Sequence, residues 1–283
     1  MKIILAACNA KYIHSNLAVY DLQAYARQYQ QHILLKEYTI NQQKDEIMKD
    51  LYEEKPDVIC FSCYIWNISF VKELAEDLKK VLPSVPFWAG GPEVSFDAEA
   101  FLAANPAFDG VMVGEGEETF LELAGYYVDH RKSLEQIRGI AFRKENQVLH
   151  NGWREIMDLS KVPFPYKDLQ DFDHRIIYYE SSRGCPFSCS YCLSSVDKKL
   201  RFRSLDLVRK ELQFFLDHKV PQVKFVDRTF NCKHDHAMAI WKYIVEHDNG
   251  VTNFHFEIAA DLLREEELEL MATMRPGLIQ LEI

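Results

Sequence analysis

The sequence predicts a two-domain α/β protein, and three observations carry that expectation. The first ~130 residues alternate short apolar runs with stretches of helical periodicity. A second alternation of the same kind begins near residue 175. Between them, the run Asp158-Leu159-Ser160-Lys161-Val162-Pro163-Phe164-Pro165-Tyr166 carries two prolines, which favour an extended connector.

In the first stretch, strands are expected over residues 2–7, 32–38, 57–63, 85–89 and 109–113. Helices are expected over 17–29, 45–54, 68–82, 97–104 and 117–129. Over 68–82 the residues Phe70, Val71, Leu74, Leu78, Val81 and Leu82 share one helical face. Five β-α units predict a parallel sheet covered on both faces, a flavodoxin-like doubly wound domain at residues 1–130. Residues 131–174 read as a hairpin at 138–149, turning near Glu145-Asn146, followed by the connector. From 175, a strand at Ile176–Glu180 runs into a cysteine-rich loop, and Ser204 caps a helix over 205–218. Strands at 222–227, 253–259 and 278–283 then alternate with helices at 234–247 and 264–274.

Composition narrows the function classes. The chain has 283 residues, 48% hydrophobic and 27% charged, which is an ordinary globular balance. Its net charge of -10 argues against a broad electrostatic footprint on nucleic acid. No apolar run approaches the ~20 residues that cross a bilayer, and the N-terminal run is too short for a signal peptide. Seven cysteines, an odd number, fit a reducing cytoplasm.

Five of the 11 glycines lie between Gly90 and Gly116. Gly90-Gly91-Pro92-Glu93 follows the fourth strand and Gly114-Glu115-Gly116-Glu117 follows the fifth. Ligands of open parallel sheets bind at these strand ends, and glycine lets a ligand approach the backbone. Neither loop matches G-x-G-x-x-G, so a nicotinamide dinucleotide is a poor candidate.

Cys185, Cys189 and Cys192 stand in a C-x-x-x-C-x-x-C spacing. Three thiolates on one tight loop can hold three irons of a cubane cluster and leave the fourth open to a small molecule. A structural zinc site normally takes four ligands, and no second cysteine pair follows. Cys60 and Cys63 have odd spacing and point to opposite sheet faces, so they do not form a metal pair. Cys232, five residues beyond Asp227, could donate a hydrogen atom or carry substrate; the alternative is a small buried hydrophobe. Arg201 and Arg203 flank the cysteine loop and read as solvated charges, or else as partners of an anionic ligand.

The cysteine loop resembles that of the radical SAM enzymes, with Tyr191 as the aromatic that commonly precedes the last cysteine. Together with both glycine loops, Thr119-Phe120, the Asp158 to Pro165 connector and Arg183-Gly184-Cys185, the chain resembles the B12-binding (cobalamin-dependent) radical SAM proteins over essentially its whole length. This resemblance implies a 4Fe-4S cluster on Cys185, Cys189 and Cys192, and S-adenosylmethionine chelated at the open iron and cleaved to a 5′-deoxyadenosyl radical. It also implies cobalamin over the first sheet, near Ser62, Tyr64, Gly90, Gly91, Pro92, Glu93, Gly114, Glu115, Gly116 and Glu117. Tyr191 would pack near the adenine. Asp227, where relatives carry a Gly-Gly-Glu-like turn, would contact S-adenosylmethionine; Glu257, and Glu282 beside it, could face the same cavity or instead be solvated or ion-paired strand residues. His14 is the candidate lower cobalt ligand, but Tyr12 stands where the usual motif has aspartate and Leu17 where it has glycine. The tail base is therefore expected to be displaced without His14 replacing it.

The implied reaction is methylation of an unactivated carbon of a small-molecule or peptide substrate, with a flavodoxin- or ferredoxin-like electron donor. Radical rearrangement or cyclisation, or a cofactor-binding fragment without full activity, are the alternatives. The cysteines lack the pattern of RNA-modifying methylthiotransferases. The barrel that the resemblance implies has six strands, and residues 175–283 supply four. An apolar strand reaching Ile283 would leave an open edge, so a C-terminally truncated piece of a longer protein is expected.

Overall fold

The computed structural model describes residues 1–196 and 199–283, and of Asp171 and Ser195 only the backbone. These residues form two compact units, Met1–Met157 with Val162–Asp168, and Asp158–Lys161 with Leu169–Ile283.

In the first unit the order is β1 (Ile3–Asn9), α1 (Leu17–Tyr25), β2 (Ile33–Thr39), α2 (Lys44–Glu53), β3 (Val58–Ser62), α3 (Ile68–Val81) and β4 (Phe87–Gly90). Then come α4 (Pro92–Ser95), α5 (Ala98–Ala104), β5 (Gly110–Met112), α6 (Glu117–Asp129), β6 (Ile140–Lys144) and β7 (Gln147–His150). The sheet order is β2-β1-β3-β4-β5-β6-β7, with β1 to β5 parallel. The first five strands thus follow the flavodoxin-like order.

Both sheet faces are buried, which is why these strands read as continuous apolar runs. Ile4, Ala6, Ile59 and Phe61 pack under α2, α3 and α5. Ile3, Leu5, Val58 and Cys60 pack under α1 and α6. Cys60 and Cys63 fall into these two different layers, as their spacing requires. On α3, Val71, Leu74 and Leu78 are fully buried, each stabilising by about 1.5–3 kcal/mol relative to exposure.

The hairpin differs from expectation. It does not belong to the connector: β6 pairs antiparallel with β5, and β7 with β6. Ile140 and Phe142 complete one layer and Ala141 the other. The helix α4 is a second difference. Pro92, expected in a loop, occupies its first turn, where a missing N–H costs nothing.

The second unit runs β8 (Ile177–Tyr179), β9 (Ser182–Arg183), β10 (Arg201–Phe202), α7 (Leu205–Asp217), β11 (Gln222–Phe225), α8 (His234–Glu246), β12 (Asn253–Glu257), α9 (Glu265–Ala272) and β13 (Ile279–Glu282). Ser204 caps α7, its side chain accepting from the Leu207 N–H at 3.4 Å. A parallel sheet has the order β13-β12-β11-β8, and β9 and β10 form a separate antiparallel pair. One sheet face carries Tyr179, Phe225 and Phe256, which stack against Phe215 of α7 and Trp241 of α8. Alternation puts Tyr178, Lys224, His255 and Glu257 on the other face. No helix among the described residues is long and apolar enough to cross a membrane.

Candidate functional site

In the first unit, strand order reverses between β1 and β3, and a crevice for ligands is expected at their carboxyl ends. Buried polar side chains fix that edge. Asn67 Nδ2 donates to the carbonyls of Cys8 (3.0 Å) and Ser62 (2.9 Å), tying the two strand ends together. Glu37 accepts from the Asn16 N–H (2.7 Å), Asn9 Nδ2 (2.8 Å) and the Tyr20 hydroxyl (2.6 Å). Asn16 Nδ2 donates to Ser62 Oγ at 3.2 Å, while Asn16 Oδ1 is buried with no hydrogen-bond partner. A buried acceptor without a partner costs about 1–3 kcal/mol. His14 lies in the same loop, partly buried, its carbonyl accepting from Asn9 Nδ2.

The glycine loops meet through a residue the sequence did not single out. Ser95 Oγ donates to the Gly91 carbonyl (2.8 Å) and accepts from the Gly114 N–H (3.2 Å). Gly91 adopts φ +118°, and a Cβ there would lie 2.4 Å from the Cys63 carbonyl oxygen. A Cβ on Gly114, at φ +75°, would lie 3.1 Å from the Trp153 ring, and one on Gly90 3.2 Å from Met112. The chain's own packing therefore demands glycine at 91, against a backbone oxygen, and the left-handed backbone favours it at 114. Glu115 accepts from the Met157 N–H at 2.9 Å, and Glu117 is buried. Pro92 and Glu93 open α4.

Around this edge the surface is apolar. Tyr64 and Trp66 stack at 4.4 Å, and Phe96 lies 5.5 Å from Trp153. Tyr12, Ile65, Trp66, Phe96 and Trp153 are exposed. Aromatic walls with a few converging polar atoms are the usual lining of a cofactor site.

In the second unit, the β9–β10 pair closes the base of the loop that holds the three cysteines. Cys185 is buried, with its Sγ 3.9 Å from Thr229 Oγ1. Cys189 is exposed, Cys192 is half-buried, and the Cys192 N–H bonds the Cys189 carbonyl at 3.2 Å. Among the described residues no three His, Cys, Asp or Glu side chains converge on one metal position. The donor set nonetheless suits iron and sulfide: residues 185–192 offer three thiols and no histidine or carboxylate. Tyr191 projects outward, 91% exposed. Cys232 is half-buried; burial first, then the Cys185 and Asp227 charges, pushes its thiol up to about 11. It therefore keeps its proton at neutral pH.

Asp227 follows β11 and is wholly buried. Its carboxylate accepts from the Ser181 N–H (2.9 Å), Ser181 Oγ (2.7 Å) and Ser182 Oγ. Burial raises it to about 7, against the lowering effect of those hydrogen bonds. Ser181 Oγ lies 3.1 Å from Nε2 of His236, whose ring burial lowers to about 4. Glu257 pairs with Lys224 (3.3 Å) and Arg228, and Glu282 with Lys224 (2.9 Å), so both sit in an ion-pair ladder on the polar sheet face. Arg203 is not a solvated charge. It forks onto Glu211 at 2.8 and 2.5 Å and donates to the Leu159 carbonyl at 2.8 Å. Asn16, Asn67, Ser95, Glu211 and His236 had no sequence signal, because each acts on a partner brought near only by folding.

Two family models match. The B12 binding domain covers residues 3–124, and the radical SAM superfamily covers residues 179–283. The chain is 27% identical over 192 residues to 2-(S-pantetheinyl)-carbapenam-3-carboxylate methyltransferase of Streptantibioticus cattleyicolor, covering 62% of this chain and 28% of that protein. It is 28% identical over 205 residues to an uncharacterized methyltransferase of Pyrococcus horikoshii, covering 69% of this chain and 44% of the relative. The chain thus spans less than half the length of these curated relatives. Its fold is that of the radical S-adenosylmethionine methyltransferase TsrM from Kitasatospora setae, with TM-score 0.76, 18% identity, and coverage of 96% of this chain and 57% of that one.

Proposed function

We propose a function for a chain that belongs to the B12-binding radical SAM proteins: it forms the cofactor-carrying part of a cobalamin-dependent enzyme that methylates an unactivated carbon. The observation that carries this reading is the pairing, in one chain, of a doubly wound sheet whose order reverses between β1 and β3 with a three-cysteine loop attached to a second parallel sheet. The names of the two methyltransferase relatives support the reaction class.

When bound, the 4Fe-4S cluster would supply the electron that cleaves S-adenosylmethionine, and cobalamin the methyl group. The chain's residues do the holding. Cys185, Cys189 and Cys192 would ligate three irons. Asn16 Oδ1 would accept from an amide of cobalamin, oriented by its own bond to Ser62. The Tyr64–Trp66 and Phe96–Trp153 pairs would cover apolar edges of that cofactor and keep water away. Cys232, held as a thiol, offers an S–H bond rather than a nucleophilic thiolate. The substrate is a small molecule or peptide, and a flavodoxin- or ferredoxin-like protein supplies electrons. We place the protein in the cytoplasm, where its free cysteines stay reduced.

The test is anaerobic turnover by the whole protein with an electron donor. S-Adenosylhomocysteine should appear together with 5′-deoxyadenosine. Formation of 5′-deoxyadenosine without S-adenosylhomocysteine overturns methylation and makes radical rearrangement the reaction.

A further inference from the structure

The cysteine loop is held at its base. Its outer part carries Phe187, Tyr191, Leu193 and Val196 outward, all exposed. These side chains face solvent and give the loop little packing there, so the two stems that enter and leave it do much to set its position. Those stems are β9 and β10, paired through Ser182–Phe202 and Arg183–Arg201, and extended by the Arg203 N–H on the Ser181 carbonyl at 2.8 Å.

Each stem is bound by one buried carboxylate. On the incoming side, Asp227 takes three donors from Ser181 and Ser182. On the outgoing side, Glu211 takes the Arg203 fork and the Tyr179 hydroxyl at 2.6 Å. Both acids are almost inaccessible, Asp227 at 0% and Glu211 at 5% exposure. A buried carboxylate is costly unless its lone pairs are filled, and here the stems fill them. The turn that follows Asp227 also reaches the loop. Thr229, at φ +57°, is a β-branched residue in a backbone region that such side chains avoid. That turn sets Thr229 Oγ1 beside Cys185 Sγ. Asp227 therefore faces inward, towards the stem, and presents no oxygen to solvent.

We propose that Asp227 is a positioning residue for the cysteine loop rather than a contact for S-adenosylmethionine: its carboxylate fixes the incoming stem, Glu211 fixes the outgoing stem through Arg203, and together they set where Cys185 is presented. The inference rests on the reading that this loop holds an iron–sulfur cluster.

The experiment compares anaerobically reconstituted parent chain with Asp227→Asn, Ser182→Ala and the double variant Ser181→Ala/Ser182→Ala. It measures iron per chain, the rate of iron loss to a ferrous chelator, and the electron paramagnetic resonance spectrum of the reduced cluster with and without S-adenosylmethionine. Apo-protein melting is the control for folding. All three variants should lose iron faster than the parent, Asp227→Asn by about tenfold, the scale of one lost hydrogen bond to a charge. The spectral response to S-adenosylmethionine should persist in each. Should Asp227→Asn fail to fold, Ser182→Ala carries the same comparison with the carboxylate in place. Parent-like iron loss in the variants overturns this inference alone. So does loss of the S-adenosylmethionine response in Asp227→Asn with the serine variants unaffected, because that is the signature of direct contact. A parent chain that takes up no iron overturns the cluster reading and this inference together.

Discussion

The glycine-loop edge of the first unit and the cysteine loop of the second are built on opposite plans. At the first, the loops are locked to one another: Ser95 bridges Gly91 and Gly114, Asn67 ties β1 to β3, and Glu37 gathers three donors. Among the described residues there, the buried side-chain acceptor without a hydrogen-bond partner is Asn16 Oδ1. At the second, Cys185 is buried against Thr229 but Cys189 is exposed and Cys192 half-buried, and the stems of the loop are tied down by Asp227 and Glu211. The first edge is shaped by loops locked to one another, whereas the cysteine loop is set largely from its base. Substitutions in the two places should therefore act on different observables.

The largest effect should follow Cys189→Ala. Iron uptake should fall to background, since two thiols cannot hold the cluster, while cobalamin absorption of the same chain should be unchanged. Loss of both signals would mean that the two sites are not built independently.

Next comes Gly91→Ala. A Cβ 2.4 Å from the Cys63 carbonyl at φ +118° should cost about 3 kcal/mol in urea unfolding of the first unit. Iron uptake should be unaffected. A cost under about 0.5 kcal/mol would show that this loop can move, against the interlocked picture.

A smaller effect is expected from pH. Asp227 sits at about 7 when folded, above its ordinary value of 3.8. Between those values the folded form keeps a proton that the unfolded chain has released, so the stability from this group is lost as pH rises through about 7. His236, at about 4 against 6.5, works in the other direction: its contribution is present above 6.5 and is lost as pH falls towards 4. Each proton changes stability by at most about 1.4 kcal/mol per pH unit. The penalty of Asp227→Asn in the apo-protein should therefore shrink between pH 5 and pH 8, measured by urea unfolding. A penalty that grows with pH would contradict the buried, stem-bound placement.

The smallest effect should come from Asn16→Ala. Removing the orphaned acceptor and its bond to Ser62 should weaken cobalamin binding by about 1 kcal/mol, about fivefold, with little change in unfolding. Unchanged binding would place the cofactor's polar groups elsewhere.

Much of this was legible in the sequence, for physical reasons. Val71, Leu74 and Leu78 announce α3 because only a helix puts that spacing on one face. The strands Ile3–Asn9 and Val58–Ser62 announce a two-sided sheet because both faces must be apolar. The three cysteines are visible because their ligand chemistry is local. The hairpin's partner was not legible: Ile140 and Ala141 alternate as well in a free hairpin as against β5. Arg203 read as surface charge because its carboxylate, Glu211, becomes a partner only once α7 forms. The reason for Gly91, a carbonyl of Cys63, is likewise visible only after folding.

Everything proposed for the second unit depends on Cys185, Cys189 and Cys192 holding a cluster with one iron left for a small molecule. The most direct test of this is iron content together with Mössbauer spectroscopy of the anaerobically reconstituted chain, titrated with S-adenosylmethionine. About four irons per chain are expected, with one iron whose signal separates from the others as S-adenosylmethionine is added. Iron no higher than in Cys189→Ala, or a full cluster with no iron that responds, would contradict it.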